Sequence, residues 1–468
     1  MQPTNFLTAS DLEAIHQATM GILQGTGIHF PHPEALDIFQ KNGFKVDGQL
    51  VFFQEDQVME KIKDIPSSFS IQARNPEHSV TIGDGIPVFT PGYGAPFLID
   101  PVDGKRVPTI EDYRDLVRLA HMLPNQDMSG HLLVEPQDIP PETSNLQMVA
   151  AHITLSDKAF IGSTEGKVGA QRTMDLVKMI FGDPTKGHFT TGLINPLSPL
   201  GYSVDMVDAL LVYARSNQPV VIASLIMAGS TGPITLAGVL AQQNAELLSG
   251  IVLSQLINPG LPVIYGSTST NIDMKTGGLA IGSPELSMCI AAHGQLARYY
   301  GLSSRAGGAL TDSSTMDAQA GYESMFSLYT TIASGIDFVL HSAGIISSYL
   351  AFCYEKFVMD DELCGMLKHF FRGMEVSPET LAVDVINNVG HEGHYLGESH
   401  TIERCRTEFW LPKLGDRSGL EAWWGEDQQD TTKRSTKRWK ELLNQYQEPE
   451  LDPSLKTQIQ NYLDQELS

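Results

Sequence analysis

Apolar residues along the chain fall into two alternating kinds of segment. Short dense runs of β-branched and small apolar residues occur at 88–99, 127–134, 159–163, 188–194, 220–227, 263–267, 304–310 and 338–341. Between them, apolar positions recur at the helical period over about 109–122, 143–156, 168–181, 203–216, 234–257, 284–300 and 317–335, with one more such segment after 355. Continuous apolar runs suit strands buried on both faces, whereas three- and four-residue spacing lays a single stripe along a helix. Eight strands alternating with eight helices predict an α/β fold, a TIM (β/α)8 barrel over residues 86–372. Local punctuation agrees with this register. Ser283-Pro284-Glu285 supplies an N-cap, a first-turn proline and a first-turn acid, and Asn217 before Gln218-Pro219 ends the preceding helix.

The pattern differs on both flanks. Residues 1–85 read as a mostly helical extension: Thr8 and Asp11 start a helix carrying Leu12, Ile15, Thr19, Ile22 and Leu23, and a second helix starts at Pro33 and ends near Asn42-Gly43. A short VFF strand and a helix over 55–62 follow. With no chemistry on it, this unit is expected to be a cap or a dimerisation layer. Residues 373–468 form a C-terminal extension. Its part up to 425 is rich in His391, His394, Tyr395, His400, Trp410, Trp423 and Trp424 and reads as a polar lid, and 428–447 reads as a solvated helix.

Charge narrows the possible partners. The 468 residues carry 31 Lys and Arg against 55 Asp and Glu, a formal net charge of −24. That excess argues against nucleic acid or an anionic membrane surface, and it suits a small cation as readily as it suits simple solubility. Cys289, Cys353, Cys364 and Cys405 show no Cys-x-x-Cys spacing and read as reduced cytosolic thiols. No signal peptide and no apolar stretch near the ~20 residues of a membrane span are expected, which points to a cytoplasmic protein.

A TIM barrel places its chemistry at the carboxyl ends of its strands. The chain delivers Tyr93 and Phe97, then Gly130 and His131, Thr164 and Glu165, Asn195, Met227, Ser267 to Asn271, Leu310 to Asp312, and His341, with Tyr354 and Glu355 beyond. GSTGP at 229–233 lacks the lysine of a phosphate-binding loop, and GSTEG at 162–166 is not a nucleophile elbow. His391-x-x-His394 with His400 is too loose for a zinc helix, so no metal site is assigned. What remains is aromatic faces mixed with a few acids, a set that attracts a quaternary ammonium through the ring quadrupole.

Four blocks carry a resemblance: AGSTGPITLAGVLAQQNAELLSGIVLSQL (228–256), YGSTSTNIDMKTGGLAIGSPEL (265–286), AGGALTDSSTMDAQAGYE (306–323) and YEKFVMDDEL (354–363). They are similar to the trimethylamine methyltransferase family, whose members pass a methyl group from an amine to a cognate corrinoid protein. The resemblance implies a TIM barrel, a corrinoid partner that carries the cobalamin, no covalently bound cofactor on this chain, and a homo-oligomer. Archaeal members bear pyrrolysine in a Gly-Ser-pyrrolysine-Ser-Asp run, whereas this chain reads Gly308-Ala309-Leu310-Thr311-Asp312, with Leu310 or Ala309 in that place. Members without pyrrolysine are associated with quaternary amines: glycine betaine foremost, with proline betaine, carnitine and γ-butyrobetaine.

The implied activity is transfer from glycine betaine, giving dimethylglycine. Alternatives are another betaine, a non-catalytic betaine-binding module and, more distantly, a zinc hydrolase. A quaternary nitrogen already carries its charge and leaves as a neutral amine, so binding and alignment are the enzyme's main tasks. Tyr93 and Phe97 are expected to hold the ammonium, and His341, Asn195 or Arg305 the carboxylate. Arg305 ranks below the other two because it lies toward the entry end of its strand. Leu310 shapes the pocket, Asp312, Tyr354 and Glu355 line or brace it, and Trp423 and Trp424 close it or meet the partner.

Overall fold

A curled sheet of seven parallel strands forms the centre of the molecule. In spatial order these are Val88–Thr90, Phe338–Leu340, Ser303–Gly307, Val263–Ser267, Val220–Ser224, Thr191–Ile194 and Ile161–Gly162. The coordinates are a computed structural model describing residues 3–425 and 428–467. Met1 and Gln2 of the N-terminal extension, and Glu426, Asp427 and Ser468 of the C-terminal one, lie outside the described residues. The fold is therefore mixed α/β, with seven assigned strands where eight were expected. The remaining segment, 127–134, turns after Gly130, where φ is +88°, and Leu133 N–H donates back to His131 O. Ahead of that turn, Asp127 N–H donates to Phe89 O at 2.8 Å, Ser129 N–H to Ala159 O at 2.9 Å, and Gly130 O accepts from Ile161 N–H at 2.9 Å. Residues 127–130 thus bond to both edges of the sheet.

The expected strand 88–99 is two strands in two sheets. Pro91 cannot donate to a ladder, and after the turn that follows, Phe97–Asp100 pairs with Ala351–Phe352 and Gly104–Arg106 in a separate four-stranded sheet. The eight expected helices are all present: Ile110–Met122, Pro141–Leu155, Gly166–Phe181, Val204–Arg215, Leu236–Ile257, Pro284–Tyr299, Ala318–Ala333 and Tyr354–Arg372.

Helix Leu236–Ile257 is long and apolar enough, by length and composition, to cross a membrane, contrary to the expectation from sequence, and 83% of its most apolar window is buried inside the protein. It is apolar all round because it is packed all round, between the sheet and the N-terminal helix Ala9–Gly25. The first 85 residues consequently share one core with the sheet: Ile15, Leu23, Phe39 and Phe53 join Tyr202, Leu247 and Tyr265. The hairpin Phe69–Ile71 with Val80–Ile82 goes further and joins the interior face of the sheet, where Ile71 and Ile82 meet Val221, Ile264 and Phe338.

Helix Thr431–Gln445 is more than the solvated helix its charges suggest. Leu442 is buried, and the helix packs on Tyr354–Arg372. The short helices between 378 and 425 contain no buried residue.

Candidate active site

The interior of the sheet is apolar at its amino end and polar at its carboxyl end. Val88, Ile161, Leu193, Val221, Ile264 and Phe338 fill the first part. Arg305 interrupts this series. In parallel register it sits between Gly266 and Phe338, so it shares the interior face with Phe338, and Gly266 carries no side chain because a Cβ there would stand 2.7 Å from Ala223 Cβ. The residue is 2% exposed, and its Nη1 donates only to Ser267 O at 3.2 Å, while Nε has no partner. Burial lowers its pKa to about 10, so it stays charged at neutral pH, and the electrostatic partner that opposes this shift is Tyr349 rather than a carboxylate. An ionised group buried without an acid is costly enough that its presence implies a ligand.

Tyr349 and His341 lie close to it, and Tyr93 meets His341 in turn. His341 follows strand Phe338–Leu340 with φ +64°, and its Nδ1 accepts Tyr93 N–H at 3.1 Å. The ring is therefore neutral with its proton on Nε2, and burial together with the nearby Arg305 charge holds its pKa well below the usual range. Tyr349 packs against His341 with centroids 4.8 Å apart and ring planes inclined at 53°. It ends a run of left-handed residues, Ser347, Ser348 and Tyr349, at φ +55°, +52° and +72°, a conformation that stores strain. Tyr93 faces His131 at 6.1 Å, and burial raises its phenol pKa, with the Glu165 charge adding to the shift. Two more buried polar atoms lie at this end without partners: His131 Nδ1, in a ring pushed down to about 3 by burial, and Thr90 Oγ1 on the same strand face as Val88.

Loops bearing this group are fixed by a buried framework. Asp312 accepts Ile281 N–H at 2.8 Å, Gly282 N–H at 2.9 Å and the Ser348 hydroxyl at 2.7 Å. Lys356 and Asp360, both fully buried, pair at 2.5 Å; Lys356 also donates to Ala309 O, and Asp360 accepts Gly344 N–H at 2.9 Å. Leu310 is fully buried, and its Cδ1 lies 2.5 Å from where a Cβ on Gly307 would stand, so it covers the last turn of the strand.

The expected site residues thus divide. Tyr93 and His341 come together through the Tyr93 N–H, and Arg305, which strand position placed toward the entry end, lies close to His341 and Tyr349. Strand position alone misplaced it, because a long interior side chain reaches toward the mouth. Phe97 does not join Tyr93: its ring face is covered by Lys105 Nζ at 3.5 Å in the separate sheet. Asn195 is exposed at the rim, and Asp312 is saturated by the loops it braces. Tyr354 donates to Asp112 O, and Glu355 accepts from Thr436 Oγ1 at 2.9 Å and Trp439 Nε1 at 2.7 Å, so both are occupied in docking other parts of the chain. Trp423 and Trp424 pack edge-to-face on each other at 5.1 Å. Among the described residues no group of three or more His, Cys, Asp or Glu has metal-binding geometry. Sequence reasoning passed over Thr90 and Tyr349, which no motif marks. Arg305 did have a signal, a charge in the middle of an otherwise small and apolar strand.

Comparison with known proteins decides the family. Residues 1–467 match the family described as trimethylamine methyltransferase (MTTB). The chain belongs to this family. It is 46% identical over 464 residues to a glycine betaine methyltransferase of Desulfitobacterium hafniense, covering 98% of this chain and 97% of the relative. A proline betaine:corrinoid methyltransferase of Eubacterium limosum is 34% identical over 98% and 97% of the two chains, and a trimethylamine methyltransferase of Methanosarcina barkeri is 31% identical over 98% and 94%. Among solved structures, the monomethylamine methyltransferase MtmB of Methanosarcina barkeri superposes with a TM-score of 0.50 at 13% identity, over 79% of this chain and 76% of that one, which speaks to fold alone. As a family member this chain is a methyltransferase, and the group around Arg305 is its candidate active site.

Proposed function

We propose that the protein transfers a methyl group from glycine betaine to the Co(I) corrinoid of a partner protein, releasing dimethylglycine. One observation carries this reading: a buried, charged Arg305 without an acidic partner, close to neutral His341 and Tyr349, with Tyr93 joined to His341. Such a set complements a carboxylate and a quaternary ammonium a few bonds apart. Arg305 would take the carboxylate through Nε, with His341 Nε2–H as a second donor, and the tyrosine faces would take the trimethylammonium. In the transfer the N–CH3 bond breaks with its electron pair going to nitrogen, and the Co–C bond forms from the metal's pair, so no proton moves. The site then needs no general base, and a neutral His341 is consistent with that.

The backbone bonds from residues 127–130 to both sheet edges support closure into an eight-stranded barrel whose carboxyl end is the mouth of the site. A cytoplasmic setting and assembly into a homo-oligomer belong to the same reading.

The experiment is transfer to cob(I)alamin followed by absorbance. The expected result is methylcobalamin and dimethylglycine in equal amounts from glycine betaine, with slower turnover of proline betaine, carnitine and γ-butyrobetaine. Preference for a bulkier betaine would reassign the substrate, and binding of glycine betaine without transfer would make the protein a binding module.

A further inference from the structure

The rim of the sheet carries an apolar knob on one side. The loops after strands Val220–Ser224 and Val263–Ser267 are tied by parallel pairing of Met227–Ala228 with Thr270–Asn271. Over that pairing Ile234, Met274 and Ile272 converge: a Cβ on Gly229 would lie 2.9 Å from Ile234 Cδ1, 3.6 Å from Met274 Sδ and 3.8 Å from Ile272 Cγ1. Ile234 is 63% exposed and Met274 72% exposed, so their apolar ends face outward although the loops beneath them are held. Two residues past Ile234, Leu236 opens a groove of about 300 Å³ that continues between helices Leu236–Ile257 and Pro284–Tyr299, lined by Leu240, Met288 and Phe6. No Asp, Glu, Lys or Arg occurs from 216 to 245 in a chain whose net charge is −24.

We infer that this knob and groove are the docking surface for the corrinoid-bearing partner, an inference that rests on the function proposed above. If the methyl donor lies at the carboxyl end of the sheet, in-line transfer requires the cobalt to approach over that end. The protein holding the cobalt must then bury part of the rim. Stable interfaces centre on well-packed apolar residues with charge excluded from the middle. The knob is an apolar feature of the rim, with the exposed Asp273 and Lys275 flanking Met274 at its edge, and it leads into the groove, whose lining includes Asp11.

Ile234→Glu and Met274→Glu in the full-length chain, assayed with two acceptors, test the inference. With the cognate corrinoid protein reduced to Co(I), each variant is expected to raise the acceptor KM at least tenfold. With free cob(I)alamin and glycine betaine, each is expected to stay within twofold of wild type. A milder Met274→Ser is expected to raise the protein-acceptor KM about threefold with an unchanged melting temperature. An unchanged KM for the corrinoid protein overturns the inference, as does an equal loss with both acceptors or a change in oligomeric state without a change in that KM, which would assign the patch to a second copy. Failure of the wild type with both acceptors would instead overturn the proposed function.

Discussion

Arg305 and Lys356 are both fully enclosed cations, yet their surroundings are opposite. Lys356 has an ion-pair partner in Asp360 and a carbonyl in Ala309, and through Asp360 it holds Gly344, so its charge is spent on joining two loops. Arg305 makes one hydrogen bond, leaves Nε bare and meets no acid. Lys158 is a third case, donating to the carbonyls of Ala120, Leu123 and Gln126 at 2.7–2.9 Å. A buried charge paired with an acid, or one whose protons all meet carbonyls, belongs to the frame; one that has neither marks where a ligand completes its bonds.

That contrast predicts opposite consequences for similar substitutions. Lys356→Met leaves Asp360 buried and uncompensated, which costs roughly 3–5 kcal/mol, and denaturant unfolding should show it as a large drop in midpoint. Arg305→Met should leave that midpoint unchanged or higher while lowering kcat/KM for glycine betaine by roughly 2–5 kcal/mol, a thirtyfold to several-thousandfold loss. A destabilised Arg305→Met with normal kinetics would erase the distinction. For Lys158, burial lowers the pKa to about 8, below its unfolded value near 10.5, so the unfolded chain holds the extra proton between those values. Its contribution is present in full above pH 10.5 and is lost as pH falls through 8. The stability of wild type relative to Lys158→Met should therefore rise between pH 8 and 10, and a flat difference would place the amine in water.

Smaller effects sharpen the boundary of the site. Tyr93→Ala removes one ring face, worth about 0.5–2 kcal/mol, and is expected to slow transfer two- to thirtyfold. Tyr354→Phe removes a hydrogen bond to helix Ile110–Met122, and Glu355→Gln takes the charge from the oxygen that accepts from Thr436 and Trp439. They should cost about 0.5–1.5 kcal/mol of stability and leave kcat/KM within about twofold. A tenfold kinetic loss in either would move the site toward helix Tyr354–Arg372.

The sequence made the frame legible and only part of the site. Runs such as VVIAS and VIYGS have no reading other than strands buried on both faces, and all eight expected helices followed from periodicity. Asp127–Gly130 was missed as an irregular segment because its turn depends on Gly130 adopting a positive φ, which composition permits but does not require. Phe97 looked like a partner of Tyr93 because both were read as delivered by the first strand, yet the chain turns between them into another sheet. Tyr349 had no signature, since a run of left-handed residues at Ser347–Tyr349 is imposed by tertiary bonds such as Ser348 to Asp312. Arg305 was visible but read by its height in the strand rather than by the reach of its side chain.

The most direct test of the account pairs Arg305→Met with a substrate that lacks the carboxylate. Methyl transfer to cob(I)alamin would be measured for glycine betaine and for tetramethylammonium, in wild type and variant. If Arg305 holds the carboxylate, wild type favours glycine betaine by at least about a hundredfold in kcat/KM and the variant brings the two substrates within about threefold. An undiminished preference for glycine betaine in Arg305→Met would contradict it.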